Sequence, residues 1–542
     1  MTLRMKQILK SGVCIGLGMS AFVPSLALAK VEVTPYLEVA QVLDAQIKGG
    51  NDVLTYSSVA AGVDATVDSG RTQAQLSYRY ERRFGWGKKL DDSDNHTGLM
   101  RVSHELVRNT LNIEAGAVAT RTRGDIRGDA PSLNVGNVDN ISQVYSAYAG
   151  PTLSTNVGAL QVGAAYRLGY TKVEANDFVP GVGQPRLDSF DDSVSHSASA
   201  SVGMAPDVLP FGWQVSGAYE REDAGQLDQR FEAKGVRGEV TVPISPTIAI
   251  LGGVGYEDIQ ASERAPLLDV AGNPVVNSKG RFVTDTASPR LASYDFDGIY
   301  WDVGVAWKPS DRTNLEAYVG RRYGSMSYTG SFTWQTTPSS ALQVGVYDEV
   351  QTFGQQLNDS LADVPTRFAG NNRNPLNSQF NGCIGGGAGS GQAGGCFNSA
   401  LQSINSSVYR SRGVGILYSA SRGPLSTGVG FGYAQRTFKT PTVPGSTFVL
   451  NGVKDESWYG NGNVAYQIDR NSTIDASVFA SLYDSGILGA PNVLSTGATS
   501  SYNRRFGRNL SATAAVGLYS FAVDGEPGEM NASALLGMRY SF

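Results

Sequence analysis

Charge is scarce in this chain. Asp, Glu, Lys and Arg make up 17% of 542 residues, against roughly a quarter in an ordinary soluble domain. Histidine is scarcer still: only His96, His104 and His196 are present. Neither His-Glu-x-x-His nor Gly-x-Ser-x-Gly occurs, so two widespread hydrolase signatures are missing. His96 sits in a polar stretch expected to be a loop, while His104 and His196 fall on apolar parities. An enzyme is therefore not expected, nor is a cofactor. A basic surplus is also lacking, the formal net charge being −5, and nucleic-acid binding needs a basic face. After Lys30 no run of 18 or more apolar residues occurs, so no helix is expected to span a bilayer.

The first 29 residues form a unit of their own. Arg4, Lys6 and Lys10 precede an apolar stretch from Val13 to Phe22, and Ala27-Leu28-Ala29 puts small residues at −3 and −1 before Lys30. This is the pattern of a cleavable secretory signal over 1–29. Cys14 follows Val13, which does not suit lipoprotein processing. Cleavage removes three basic residues and takes the charge to −8. The remainder, 30–542, reads as a single large unit.

A two-residue period then sets the fold class. In 72–83 one parity carries Thr72, Ala74, Leu76, Tyr78 and Tyr80, and the other Gln73, Gln75, Ser77, Arg79, Glu81 and Arg83. The same split recurs in 160–171 and 194–204. Successive strand side chains point to opposite faces, so these are strands with one apolar side. The apolar segments run for about 9 to 12 residues, as a tilted transmembrane strand requires, whereas sandwich strands are nearer 5 to 6. Short connections rich in Gly, Pro, Asn, Asp and Ser, such as Asp68-Ser69-Gly70-Arg71 and Asp469-Arg470-Asn471-Ser472, alternate with mostly longer ones. The expectation is all-β: one transmembrane antiparallel β-barrel of about 22 strands (20–24), with short periplasmic turns and long extracellular loops. The first strand is interrupted by Pro35, and the longest loops are 259–295 and 354–406. Trp213, Tyr219, Trp301 and Trp307 fall on apolar parities, as interfacial girdles do.

The final segment ends on Phe542, with Ala532, Ala534, Leu536, Met538 and Tyr540 on one parity. Gly537, Tyr540 and Phe542 resemble the terminal recognition strand of bacterial outer-membrane proteins, although Leu535 stands where a polar residue is usual. That resemblance implies the lipid bilayer and the outer-membrane barrel assembly machinery as partners.

Charged residues on wet parities are candidate lumen-lining groups: Arg79, Glu81, Arg83, Arg101, Glu105, Glu114, Arg167, Glu220, Arg237, Glu239, Glu257, Asp302, Glu316 and Arg322. Their mixed sign favours neither an anion-only nor a cation-only channel. They fit either a lining that orders water and solutes or an ion-pair network that braces a wide wall, and the two are compatible. No metal site is expected. No long segment is expected ahead of the first strand, and a barrel this wide leaves a large bore. The bore is expected to be filled by loops 259–295 and 354–406 or by a partner protein.

Gly320-Arg321-Arg322-Tyr323-Gly324, the segment 345–352 followed by Gly354-Gln355-Gln356-Leu357, and 502–510 resemble the large outer-membrane barrels associated with PEP-CTERM, exosortase and exopolysaccharide gene clusters, and related β-barrel porin families. The resemblance covers the second half of the chain best. It implies an outer-membrane role in polysaccharide secretion, with polysaccharide or export proteins as partners, and it carries over no catalytic or ligand residue. Three functions stay open: an export-associated channel, a general diffusion porin, and a structural or adhesin-like barrel with a closed lumen.

Cys383 and Cys396 lie 13 apart in a glycine-rich stretch. In an oxidising compartment such a pair is expected to form a disulfide. Non-reducing peptide mass spectrometry of envelope preparations should recover the two cysteines in one cross-linked species; two free thiols would refute the bond.

Overall fold

The computed structural model describes residues 30–86, 92–125, 140–174, 187–206, 208–369, 376, 380, 382–387, 392–401, 404–446, 449–487 and 490–542. The proposed signal segment lies outside these residues. The wall is one antiparallel sheet of 22 strands closed on itself. Its first fifteen strands are β1 (Lys30–Lys48), β2 (Val53–Asp68), β3 (Thr72–Gly85), β4 (Ser93–Val107), β5 (Leu111–Arg123), β6 (Ile141–Val157), β7 (Leu160–Val173), β8 (Asp192–Met204), β9 (Gly212–Ala224), β10 (Gln229–Ser245), β11 (Ile248–Arg264), β12 (Arg290–Ser310), β13 (Thr313–Arg322), β14 (Ser325–Thr337) and β15 (Ser340–Gln351). After a long insertion bearing helix α1 (Phe353–Asp363) and the short strands β16 (Cys383–Gly385) and β17 (Gly394–Cys396), the wall resumes. It continues with β18 (Val408–Arg422), β19 (Leu425–Lys439), β20 (Lys454–Gln467), β21 (Ser472–Asp484), β22 (Val493–Phe506), β23 (Leu510–Val523) and β24 (Glu529–Ser541).

Closure is made by β1 against β24, from Tyr36 opposite Ser541 to Lys48 opposite Met530. Pro35 is tolerated because its ring nitrogen lies on the side where β24 has run out. Its carbonyl accepts from the Phe542 N–H at 3.0 Å, the last bond of the seam. Proline is confined to such places in sheets because it cannot donate. The candidate recognition residues Gly537, Tyr540 and Phe542 thus lie along the strand that closes the ring, and Tyr540 and Phe542 meet edge to face with centroids 5.2 Å apart.

Parity sorts the wall as lipid and water demand. Val39, Ile113, Leu168, Val215, Val254, Ile299, Val319, Val429, Val478, Val516 and Leu536 are exposed on the outside. Trp307, Trp334, Tyr466, Tyr502 and Tyr540 form a lower outward ring near the short turns, and Trp301, Tyr328 and Trp458 stand higher. Among the described residues no helix is long and apolar enough to cross a membrane, but a closed barrel needs none. In a closed sheet the strands' backbone donors and acceptors pair with neighbouring strands rather than face hydrocarbon.

One connection departs from expectation. β11 and β12 run further than the apolar pattern suggested, so the connection between them is 265–289. Between β13 and β14 the outer connection is only Tyr323-Gly324, with φ of 53° and 73°, the two-residue turn that matches strand twist. The rim is therefore low at this hairpin.

Inside, Arg436 and Asp455 are both fully buried and ion-paired. Asp455 also accepts from Tyr483 Oη at 3.1 Å, and the guanidinium lies 5.2 Å from the Tyr409 ring. Removing one member of such a pair strands the other charge. Asp455→Ala should destabilise the barrel by about 3–5 kcal/mol, read from urea unfolding in micelles. A loss below about 1 kcal/mol would show that the pair contributes little.

Candidate functional site

The described residues of the insertion 352–407 occupy the bore, and the wall itself steers them there. The β14–β15 ladder ends at Gly330 opposite Val346, although both strands continue outward. Above that point Val350 and Val408, which share parity with outward-facing Val346 and Val414, are buried against inward-facing Phe231, Ile259 and Ala261. The ends of β15 and β18 have tipped inward beneath the lip of β10 and β11. Arg410 and Arg412 bridge the parting, reaching Ser325 Oγ at 2.7 Å each and pairing with Asp348.

α1 starts from this inward-tipped end. Thr352 and Gln355 form a capping box, and Thr352 Oγ1 donates to Glu222 Oε2 at 2.6 Å. One helix face, with Phe353, Leu357 and Leu361, packs on wall residues Leu99, Val118, Val144 and Tyr148 and on Phe190. Asn358 donates to Ser195 Oγ and accepts from Ser146 Oγ. Arg101 Nη2 donates to the Ala362 carbonyl at 3.0 Å, near the helix end where backbone carbonyls lack helical partners. Eleven residues span about 17 Å. Beyond the helix, Phe368 exchanges hydrogen bonds with the Gln75 amide, and Arg367 pairs with Asp68, the last residue of β2. The insertion therefore reaches from the outer lip to the periplasmic end.

Its return path includes the β16–β17 hairpin, in which Cys383 and Cys396 lie opposite each other and are joined as a disulfide. Ala393 beside it packs on Ala341 and Leu417. Two wall glycines make room for the insertion. A Cβ on Gly169 would lie 2.4 Å from Asn358 Nδ2, and one on Gly430 would lie 2.7 Å from Cys383 Sγ. Leu376 packs on Ala40, Val42, Tyr56, Ala515 and Leu535, and its carbonyl accepts from Tyr519 Oη at 2.6 Å. The unusual apolar Leu535 of the last strand thus faces inward and touches the plug.

All the candidate lining residues face the interior, and they fall into separate groups. Arg79 bridges Glu38 and Glu81, with Arg83 also on Glu81. Arg237 holds Glu239 and Asp302. Arg322 grips Glu257 through three hydrogen bonds, and Arg167 pairs with Asp359 of α1 at 2.6 Å. Glu114 accepts from Asn112. Glu105, Glu220 and Glu316 have no ion pair among the described residues.

Three acids missed in the sequence, Glu349, Asp359 and Asp363, are exposed within the bore. The surrounding wall desolvates the two helix carboxyls and pushes both up, Asp363 to about 6, with the Asp359 charge adding to the effect. Among the described residues the plug's hydrogen bonds reach wall strands from β2 to β9, β18 and β23, and none of these reaches β10–β14. Along this free side, β10–β14, the guanidiniums of Arg237 and Arg322 are committed to partners, while Glu316 there, Glu220 on the flanking β9 and Glu349 on the flanking β15 have no ion pair among the described residues. The lining is mixed in sign, and its unpaired members on and beside that side are acidic. The sequence signal for α1 was available in Thr352-x-x-Gln355 followed by Leu357 and Leu361 at helical spacing.

None of the three histidines serves the interior. His96 lies within β4, not in a loop, on the outward parity beside Tyr80 and Tyr145. Each ring is tied to a neighbouring strand's hydroxyl: His96 to Tyr78, His104 to Thr72 and His196 to Tyr166, at 2.7–2.8 Å. Among the described residues there is no cluster of three or more potential metal ligands.

The outer connection 265–289 holds three eight-residue units, 265–272, 273–280 and 281–288. Their third residues bond in a ring: Val275 N–H to Leu267, Val283 to Val275, and Leu267 back to Val283, at 2.7–2.9 Å. Their fifth residues, Asp269, Asn277 and Asp285, each cap a turn by accepting from the N–H two residues on. The period was readable in Asp269, Asn277 and Asp285 and in Leu267, Val275 and Val283. The buried Arg281 of this cap donates to the carbonyls of Val173 and Phe190 and pairs with Asp191. Because Phe190 packs on Phe353 with tilted rings whose centroids are 4.9 Å apart, the cap is anchored over the start of the plug.

The Gly169 contact gives a test of plug seating. Gly169→Val should dislodge α1 without breaking the β-ladder, raising trypsin cleavage after Arg367 several-fold in micelles. Unchanged cleavage would mean that the helix does not depend on this close approach.

The closed, lipid-faced barrel is a protein of the outer membrane. No protein-family model and no curated protein matches the chain. Among solved structures it is similar to the FrpB iron transporter from Neisseria meningitidis, at 12% identity and a TM-score of 0.42 over 94% of this chain and 82% of that one. It is also similar to the ferric-catecholate import receptor Fiu from E. coli K12, at 12% identity and a TM-score of 0.43 over 93% and 81%. A third likeness is to OccAB4 from Acinetobacter baumannii, at 10% identity and a TM-score of 0.29 over 94% and 98%. Likenesses this distant carry no argument about function, and the fold rests on the chain's own strand pairing.

Proposed function

We propose that the protein is a self-plugged solute channel that favours cationic and neutral polar solutes over anions. The observation that carries this reading is the acidic free side of the bore. Glu220, Glu316 and Glu349 lack ion pairs among the described residues, and α1 presents Asp359 and Asp363 from within. Carboxylates in an enclosed space raise the local concentration of cations and repel anions.

The resemblance to exopolysaccharide-associated barrels suggests polymer export instead. An extended polymer needs an uninterrupted bore, and a loop bonded to the wall from lip to base opposes that use unless it moves. A general diffusion porin would conduct steadily without loss of the plug. A structural or adhesin-like barrel would not conduct at all.

Planar-bilayer recording separates these readings. The purified protein should show a reversal potential of cation-selective sign in a salt gradient, with a permeability ratio of a few-fold. Joint Glu349→Gln, Asp359→Asn and Asp363→Asn should bring it near unity. Replacing 352–407 by a short Gly-Ser link should raise conductance several-fold. Anion selectivity, or selectivity unmoved by the triple substitution, would refute the proposal, and silence in both forms would leave the structural reading.

A further inference from the structure

The β14–β15 ladder stops part-way up the wall, at Gly330 opposite Val346, and what stands in its place above is charged. Tyr328, one of the upper outward aromatics, lies on the parted edge of β14 two residues beyond Gly330, with Met326 two residues further on. Both are exposed on the outer face. Interfacial aromatics mark the level at which lipid headgroups meet a barrel. The wall therefore parts at the height of the headgroups, on the side that faces the membrane rather than the bore.

Two guanidiniums cross the parting from β18. Arg410 forks onto Asp348, with Nε and Nη2 each 2.7 Å from one carboxylate oxygen, and Arg412 Nε donates to the same carboxylate at 3.2 Å. Both arginines donate to Ser325 Oγ, and Arg412 Nη2 also donates to the Met326 carbonyl at 3.2 Å. Arg321 of β13 is paired directly opposite Met326, so it comes at that residue from the other side. It shares the outward parity of Val319, is exposed, and has no ion pair among the described residues. Two cations thus share one carboxylate and a third stands beside them, which gives the parting a positive surplus. Arg410 is largely covered, whereas 38% of the Arg412 side chain is exposed. Closing a gap where water is at hand does not call for surplus charge, because neutral hydroxyls or backbone groups could do it.

We propose that the parting is a docking notch for a phosphorylated lipid of the outer leaflet, whose phosphate is taken by Arg412 and Arg321 and whose acyl chains run down over Tyr328 and Val346. Guanidinium donors match phosphate oxygens in pairs, and a phosphate supplies the negative charge that Asp348 supplies only in part. A lipid is favoured over a free phosphate because the cations sit directly above exposed apolar side chains that continue into the hydrocarbon-facing surface. The notch lies on the outside of the barrel, so it does not rest on the cation-selective reading of the bore.

Lipid A, the phosphorylated glycolipid of Gram-negative outer leaflets, is the probe. The whole protein in neutral detergent should retain lipid A in native mass spectra, and should not retain lipid A stripped of its phosphates. Arg412→Gln should weaken binding on the order of tenfold, and Arg412→Lys should restore only part of it, since an ammonium lacks the planar fork. Arg321→Gln, whose side chain bonds to no other described residue, should lower the bound fraction several-fold, and it keeps the test decisive if Arg412→Gln disturbs the wall. Arg470→Gln, in the short β20–β21 turn at the opposite end of the barrel, should leave binding unchanged. Equal retention of the two lipids, or binding unaltered in both Arg321→Gln and Arg412→Gln, would overturn the notch. Inorganic phosphate bound as tightly as lipid A would do the same, by assigning the cations to a free anion.

Discussion

Hydrocarbon offers no hydrogen bonds, so every peptide group that crosses it must find its partner within the protein. This constraint shapes everything else in the molecule. It forbids an open sheet edge in the membrane, which forces β1 onto β24. It explains why a proline is tolerated where its neighbour strand has ended. It also explains why the β14–β15 ladder can part only towards the outer rim, where Arg410, Arg412 and Asp348 close the gap with side chains. Strand closure settles the wall, and the wall then creates a second problem, a bore too wide for its own side chains to fill.

The chain meets that problem with its own insertion. Polar groups enclosed in the bore cost free energy unless bonded, and the plug satisfies many of them: Ser146, Ser195 and Arg101 on the wall face Asn358 and Ala362 on the helix. Apolar contacts and close approach at glycines supply the rest. The wall and plug are therefore mutually dependent on one side, while the side along β10–β14 stays free. The division between a bonded half and a free half is what gives the interior an acidic path, because guanidiniums are taken up by partners and several carboxylates are not.

Much of this was legible in the sequence, for a physical reason. Strand parity is local, and lipid on one side and water on the other write it strongly into segments such as 72–83. The strand number and the inward-facing charges from Arg79 to Arg322 follow from that rule alone. The plug helix was readable from Thr352, Gln355, Leu357 and Leu361, and the cap from its eight-residue period, but neither signal says where a loop goes. The placement of Asp359 and the pairing of Arg436 with Asp455 depend on segments distant in sequence meeting in space. His96 misled because a polar neighbourhood resembles a loop, whereas its ring sits among exterior tyrosines at the level where a polar tip is welcome.

Leu376 touches residues on both sides of the seam: Ala40, Val42 and Tyr56 from the first two strands, and Ala515 and Leu535 from the last two. Leu376 of the insertion thus straddles the line where the two ends of the chain meet. Pulling the insertion out of the bore would bare the apolar inner face of the seam at that level, so the closure of the ring and the filling of its interior share one contact.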